Sequence, residues 1–301
     1  VNHSKRKKVA SFLFALPYGL SFLGFIVLPI IVAAVLAFMQ FDLTDRNSIH
    51  FVGLNNFKEL WHDSYFWQAM VATLRYSVMM VPCLIITSFA MALAMNSMAK
   101  GKEVVRALVF LPGMFTIAVT AILWQWFYNQ EFGLFNFLLK GLHETFPNSG
   151  LIPAKPVPWL GDRAFAMPSI VVMSLWWTAG GTSVVMLTAL QQIPRMYVEA
   201  AALDGAGPGK LFSHIILPLM KPVLLFVVIT NTIAAFQMFP QASLLTSGGP
   251  ELTTRGMVQY IYETAFNQYR LGYAAAMSWM LAIVILIFAL GQYALLRRGA
   301  T

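Results

Sequence analysis

The chain has 301 residues, of which 58% are apolar and 11% charged, and its formal net charge is +8. A soluble domain carries about 25% charged residues, so this composition excludes an ordinary soluble fold unless the apolar residues fail to cluster. The basic excess does not indicate a nucleic-acid binder either, because lysines and arginines fall in short segments between apolar runs rather than on one face.

The apolar residues cluster. Six runs contain no Asp, Glu, Lys or Arg: residues 9–41, 76–99, 107–129, 165–190, 223–242 and 271–296. Each reaches about 20 residues, the length a helix needs to cross the hydrocarbon core. An all-α integral membrane protein with six transmembrane helices is expected.

Lys5, Arg6, Lys7 and Lys8 precede the first run like the basic region of a secretion signal. The apolar stretch is longer than a signal core and no small-residue cleavage site closes it, so it reads as a retained anchor. The connection over residues 42–67 holds Asp45, Arg46 and a turn-like Gly53-Leu54-Asn55-Asn56. Arg75 stands at the edge of the second run, where it either snorkels to headgroups or pairs with an acid. Cys83, inside that run, is expected as a small core residue. The connection over residues 130–164 is rich in proline (Pro147, Pro153, Pro156, Pro158) and ends in Trp159-Leu160-Gly161-Asp162, where a Trp suits a membrane–water interface. The connection after the fifth run opens with the turn signal Thr246-Ser247-Gly248-Gly249-Pro250. No repeat or composition shift marks a soluble domain. The organisation expected is residues 1–66 (tail, first helix and outer segment) and residues 67–301 (a core of five transmembrane helices).

Twelve basic residues lie on one side of the runs: Lys5 to Lys8, then Lys100, Lys102, Arg106, Arg195, Lys210, Lys221, Arg297 and Arg298. The other side has seven, spread over longer connections: Arg46, Lys58, Lys140, Lys155, Arg163, Arg255 and Arg270. The positive-inside rule places both termini in the cytoplasm, in keeping with an even number of spans. Only three acids, Glu103, Glu199 and Asp204, then face the cytoplasm.

Two of those acids lie in the connection over residues 194–218. Met196 to Leu203, with three consecutive alanines, favours a short helix; Gly205, Gly207, Pro208 and Gly209 end it, and Phe212, Ile215 and Ile216 begin a second helical pattern. A short helix with a smooth alanine side and one charge has the shape of a plug for a partner's socket. The order Glu199-Ala200-Ala201, Gly205, Ile215, Leu217-Pro218 resembles the EAA loop of binding-protein-dependent ABC permeases, with the spacing matched at every fixed position. Asp204-Gly205-Ala206, Phe212 and the turn from Leu245 to Pro250 are similar to the carbohydrate-uptake branch, the relatives of the maltose permeases. The resemblance runs from Trp67 to the C-terminus, and the first span fits the accessory front helix of that branch.

This resemblance implies a type I ABC importer transmembrane domain in the bacterial cytoplasmic (inner) membrane. It implies that Glu199, Ala200, Ala201, Asp204 and Gly205 form a coupling helix and its stop, docked into a cytoplasmic ABC ATPase dimer. It also implies a second, non-identical permease subunit and an extracytoplasmic solute-binding protein. No cofactor is expected on this chain, and ATP and Mg belong to the partner ATPase. The Gly205-to-Lys210 stretch is no phosphate loop: Asp204 and Leu211 occupy positions that need Gly and Ser or Thr. No other catalytic motif appears, and the histidines are scattered over connections.

Polar residues deep in a span face the protein interior or a water-filled path. The fourth run carries Ser174, Trp177, Thr178, Gly180, Gly181, Thr182 and Ser183, and the fifth Thr230, Asn231, Thr232 and Gln237. Ser174, Trp177, Thr178, Asn231 and Gln237 are the candidate substrate path, since aromatic faces and amides suit a sugar ring. The bland alternative is that Ser, Thr and Gly only glue helices together. Sugar-transporting relatives bind solute on these same two spans, and this chain departs from them with Ala234 and Ala235 at positions that are more polar there. An ion-driven transporter would want acids within the spans, and an intramembrane enzyme would want His or Asp there. The six runs have no acid, and no His or Asp lies deep in them.

Overall fold

The computed structural model describes residues 13–42, 49–98, 100–147, 153 and 155–298. The basic cluster Lys5 to Lys8, the start of the first apolar run, and Asp45 and Arg46 lie outside the described residues.

In chain order, α1 (Leu13–Leu36) leads to a ribbon of β1 (Met39–Gln40) and β2 (His50–Phe51), which pair antiparallel with Met39 opposite Phe51. There follow α2 (Asn55–His62), α3 (Ser64–Ser97), α4 (Lys102–Phe110) with a 3₁₀ turn over Leu111–Met114, α5 (Ile117–Phe127) and α6 (Leu134–Thr145). The second half comprises α7 (Ala166–Gln191), α8 (Arg195–Leu203), α9 (Pro208–Phe236), α10 (Pro240–Thr246), α11 (Met257–Tyr262) and α12 (Leu271–Arg298).

Five of these, α1, α3, α7, α9 and α12, are long and apolar enough to cross a membrane. The sixth span exists only if α4 and α5 count as one, because the chain bends by 96° between them. The continuous span expected over residues 107–129 is therefore broken. Pro112 and Gly113 tighten the end of α4 into the 3₁₀ turn, Thr116 is extended (φ −65°, ψ 151°), and its hydroxyl accepts the Val119 N–H to start α5 afresh. Three other expectations shift as well. Helix α3 starts 12 residues before the charge-free run, since Ser64 to Arg75 carries no helix breaker. The Pro-rich connection contains α6, because its prolines all follow Thr145. Cys83, expected in the core, is exposed on α3.

The chain divides into two units. The smaller comprises the residues up to Asp63 together with Ile261–Ala282. Within it Asn56 Nδ2 donates to the carbonyls of Ala37 and Met39, both at 2.9 Å, Arg270 clasps Glu59 at 2.6 and 2.8 Å, and Tyr273 donates to Asp63 at 2.7 Å. None of the apolar residues of α1 is buried, as expected of a helix whose neighbours are lipid tails.

The larger unit comprises Ser64–Tyr260 and the residues from Ile283 onward. Its most extensive helix pair is α3 with α7, and α9 packs on α3. Their core includes Tyr76, Met80, Leu84, Met167, Ile170 and Met173. Ser88 donates to the Ala179 carbonyl across the α3–α7 seam at 3.2 Å. The fully buried Thr73 hydroxyl accepts the Met257 N–H at 2.8 Å, joining segments 184 positions apart. An aromatic cluster of Trp124, Tyr128, Phe135 and Trp159 belongs to the same core. There Tyr128 donates to the Ser169 carbonyl at 2.9 Å.

Candidate functional site

Two places in the larger unit hold the residues singled out from the sequence. The first is α8. Pro194, extended at φ −61° and ψ 131°, turns the chain into it. Its end is a Schellman stop: Ala206 N–H donates to the Ala201 carbonyl at 2.9 Å and Gly205 N–H to that of Ala202 at 3.1 Å. That closure needs the left-handed φ of +72° that Gly205 supplies. Asp204 is the residue at which the helix ends. No residue of α8 is buried. Glu199 and Ala200 are exposed, Ala201 is half-buried, and Met196 and Leu203 are 67% and 89% exposed. A helix this short is marginal by itself, yet it presents apolar side chains and one acid that the chain's own fold leaves uncovered. The chain continues through Pro208 into α9, whose first turns widen into a π turn at Phe212–Ile216. The Phe212 ring meets Phe89 of α3 at 5.8 Å.

The second place is a cavity of about 360 Å³ between α7, α9 and the bend after α4. Trp177, Thr178, Gly181 and Thr182 line it from α7, Thr230 and Asn231 from α9, and Phe110 and Gly113 from the bend. Two glycines bring these walls together. A Cβ on Gly180 would fall 2.0 Å from the Val109 carbonyl oxygen, and one on Gly113 would fall 3.3 Å from that of Trp177. Trp177 Nε1 donates to the Phe115 carbonyl at 3.0 Å, holding the indole against the bend. Thr178 donates to the Ser174 carbonyl at 2.7 Å and Asn231 Nδ2 to that of Val227 at 2.8 Å. The amide oxygen of Asn231 and the second lone pairs of the hydroxyls are left for a ligand.

Of the path residues proposed from sequence, Trp177, Thr178 and Asn231 come together here. Ser174 is fully buried and Gln237 is exposed at the end of α9; both lie outside the lining. Ser183 and Thr232 serve packing: the first donates to the Gly180 carbonyl within α7, and the second accepts from Gln292 of α12 at 2.9 Å. The sequence reading missed Phe110, Gly113, Val185, Phe226 and Val227. The Pro112-Gly113 pair was the one available signal, since it breaks an apolar helix where a wall is needed.

The family model for the inner membrane component of binding-protein-dependent transport systems matches residues 78–299. A probable ABC transporter permease protein, YurN of Bacillus subtilis, is 31% identical over 98% of both chains. The trehalose/maltose transport system permease protein MalF of Thermococcus litoralis is 32% identical, over 95% of this chain and 92% of that one. The sn-glycerol-3-phosphate transport system permease protein UgpA of Yersinia enterocolitica is 32% identical, over 83% and 82%. The fold is that of a chain in a solved bacterial ABC transporter involved in alginate import, with a TM-score of 0.85 at 23% identity over 99% of both chains.

Proposed function

From the premise that this chain belongs to the inner membrane components of binding-protein-dependent transport systems, and is a permease subunit, we propose that it forms the path for a carbohydrate or polyol in an ATP-driven importer. The observation that carries the reading is α8, an uncovered helix bounded by Pro194 and the Gly205 stop. In this reading Glu199, Ala200 and Ala201 dock into a cleft of a cytoplasmic ABC ATPase dimer, Asp204 and Gly205 set where the helix ends, and both termini share that side of the membrane. ATP and Mg stay on the partner ATPase, and this chain binds no cofactor.

The solute class is supported by the two relatives named for trehalose/maltose and sn-glycerol-3-phosphate transport, and by the cavity. The Trp177 face gives flat apolar contact to a ring, while Asn231, Thr178 and Thr182 offer hydrogen-bonding groups to hydroxyls. A second permease, non-identical to this one, would complete the path beside this cavity. Ser174 is buried behind the lining, and Gln237 lies beyond it at the end of α9. A solute-binding protein delivers the solute to the face opposite α8.

The test is purification of the tagged chain from its native membrane in mild detergent, with photocrosslinking from Glu199 to Ala202. A crosslinked ATPase, a second permease and ATP-driven uptake of a sugar or polyol after reconstitution are expected. A chain that emerges alone and uncrosslinked would refute the coupling role of α8. Active uptake of amino acids but not sugars or polyols would refute the solute class.

A further inference from the structure

A second cavity in the larger unit, of about 590 Å³, has a different chemistry. Trp67, Gln68 and Arg75 of α3 line it with Arg163, Glu251 and Thr253 from the connections. Gln68, Val71 and Arg75 recur at i, i+3 and i+7, so α3 turns one continuous face toward it. Its size falls within the range of small-molecule sites, about 300–1,000 Å³.

The charges in this cavity do not cancel. Its single acid, Glu251, is engaged by Arg163 at 3.3 Å, and among the described residues no acid pairs with Arg75. The lining therefore holds one cation in excess. Arg75 directly precedes the charge-free run at 76–99. An arginine at that depth faces either headgroups or a water-filled path, and here it lines a cavity beside the half-exposed Trp67 ring and the exposed Gln68 amide. Part of the lining is built at a cost. Glu251 and Leu252 both hold left-handed backbone, φ 49° and 60°, which non-glycine residues adopt mainly where the surrounding structure enforces it, often at ligand clamps.

We propose that this cavity binds the anionic group of the solute, a carboxylate or phosphate carried on a sugar or polyol. The Arg75 guanidinium is its bidentate counter-charge, and Trp67, Gln68 and Thr253 hold the ring and flanking hydroxyls at this second station, which the solute occupies at a different time from the cavity at Trp177. The proposal rests on the permease reading above and narrows its solute class to acidic or phosphorylated carbohydrates.

The test is calorimetric titration of the purified complex in phosphatidylcholine nanodiscs, using glucuronate and glycerol 3-phosphate against glucose and glycerol. At least one anion is expected to bind about tenfold or more tightly than its neutral counterpart, the scale of one charge-assisted hydrogen-bond pair. Arg75→Gln removes the preference and Arg75→Lys keeps part of it. The thermal midpoint of each variant checks its fold, which an exposed side chain does not hold together. Equal binding of anions and neutral probes, or an anion preference that survives Arg75→Gln, overturns the proposal. A second arm adds phosphatidylglycerol to the discs. Unchanged probe affinity is expected, and displacement of the probes by that lipid would make the cavity a headgroup site and equally overturn the proposal. Failure of the two readings is separable: ATP-driven uptake without anion preference sinks this one alone, whereas absence of an ATPase from the complex sinks the importer reading while the titration still reports on Arg75.

Discussion

Gly180 and Gly181 are neighbours on α7, and alanine at each should have opposite consequences. A Cβ on Gly180 would lie 2.0 Å from the Val109 carbonyl oxygen and 2.8 Å from its carbon. Ordinary contact begins near 3.4 Å, so α7 and the end of α4 must part by more than 1 Å. The obstacle is backbone and has no rotamer in which to escape. Overpacking of this kind costs about 1–3 kcal/mol, and the upper end applies to a backbone clash. Alanine's better helix propensity returns about 1 kcal/mol, leaving a net loss of about 2 kcal/mol, or about 3 °C in the unfolding midpoint at about 2.1 cal/mol/K of unfolding entropy per residue. At Gly181 a Cβ meets nothing within 4 Å, so Gly181→Ala should hold or raise the midpoint. It places a methyl in the cavity lining, however, and should reduce solute uptake. The assay is intrinsic-fluorescence melting in detergent, paired with uptake in proteoliposomes. A Gly180→Ala midpoint equal to wild type would refute the close approach of α7 to α4.

Two further substitutions separate stability from coupling. Thr73→Val leaves the Met257 N–H buried without its acceptor, which should cost about 1–3 kcal/mol and appear as a lower melting midpoint; an unchanged midpoint would mean that this bond does not form. Glu199→Lys alters an exposed side chain on a helix with no buried residue, so the fold should change by less than about 0.5 kcal/mol. ATP-driven uptake should nonetheless collapse while the ATPase continues to turn over, and normal uptake by this variant would remove Glu199 from the coupling contact.

The short helix with its glycine stop was legible in the sequence because its signals are local. Alanine propensity, Pro194 and the αL requirement at Gly205 act within a dozen residues and need no distant partner. The cavity was half legible. Polar residues inside apolar runs pointed to α7 and α9, but periodicity cannot say which of them turn toward open space. Thr178 and Asn231 reach the cavity, while Ser183 and Thr232, equally polar and on the same helices, are consumed in packing. The bend after α4 was hidden because hydropathy registers length and charge but not direction, and Pro112-Gly113 carries no charge to interrupt the run.

Composition and run length alone determined that this chain spans a membrane many times, since lipid demands uninterrupted apolar helices and admits few alternatives. The spacing from Glu199 to Pro218 pointed to the family, because its signals are local and can be read along the chain. Tertiary structure decided what depends on distance between segments far apart in sequence. It separated Gly180, pressed against the Val109 carbonyl, from Gly181, open to a cavity. It also set Arg75 in a cavity whose only acid already has a partner. Side chains of identical type differ in these ways only through what the fold brings beside them.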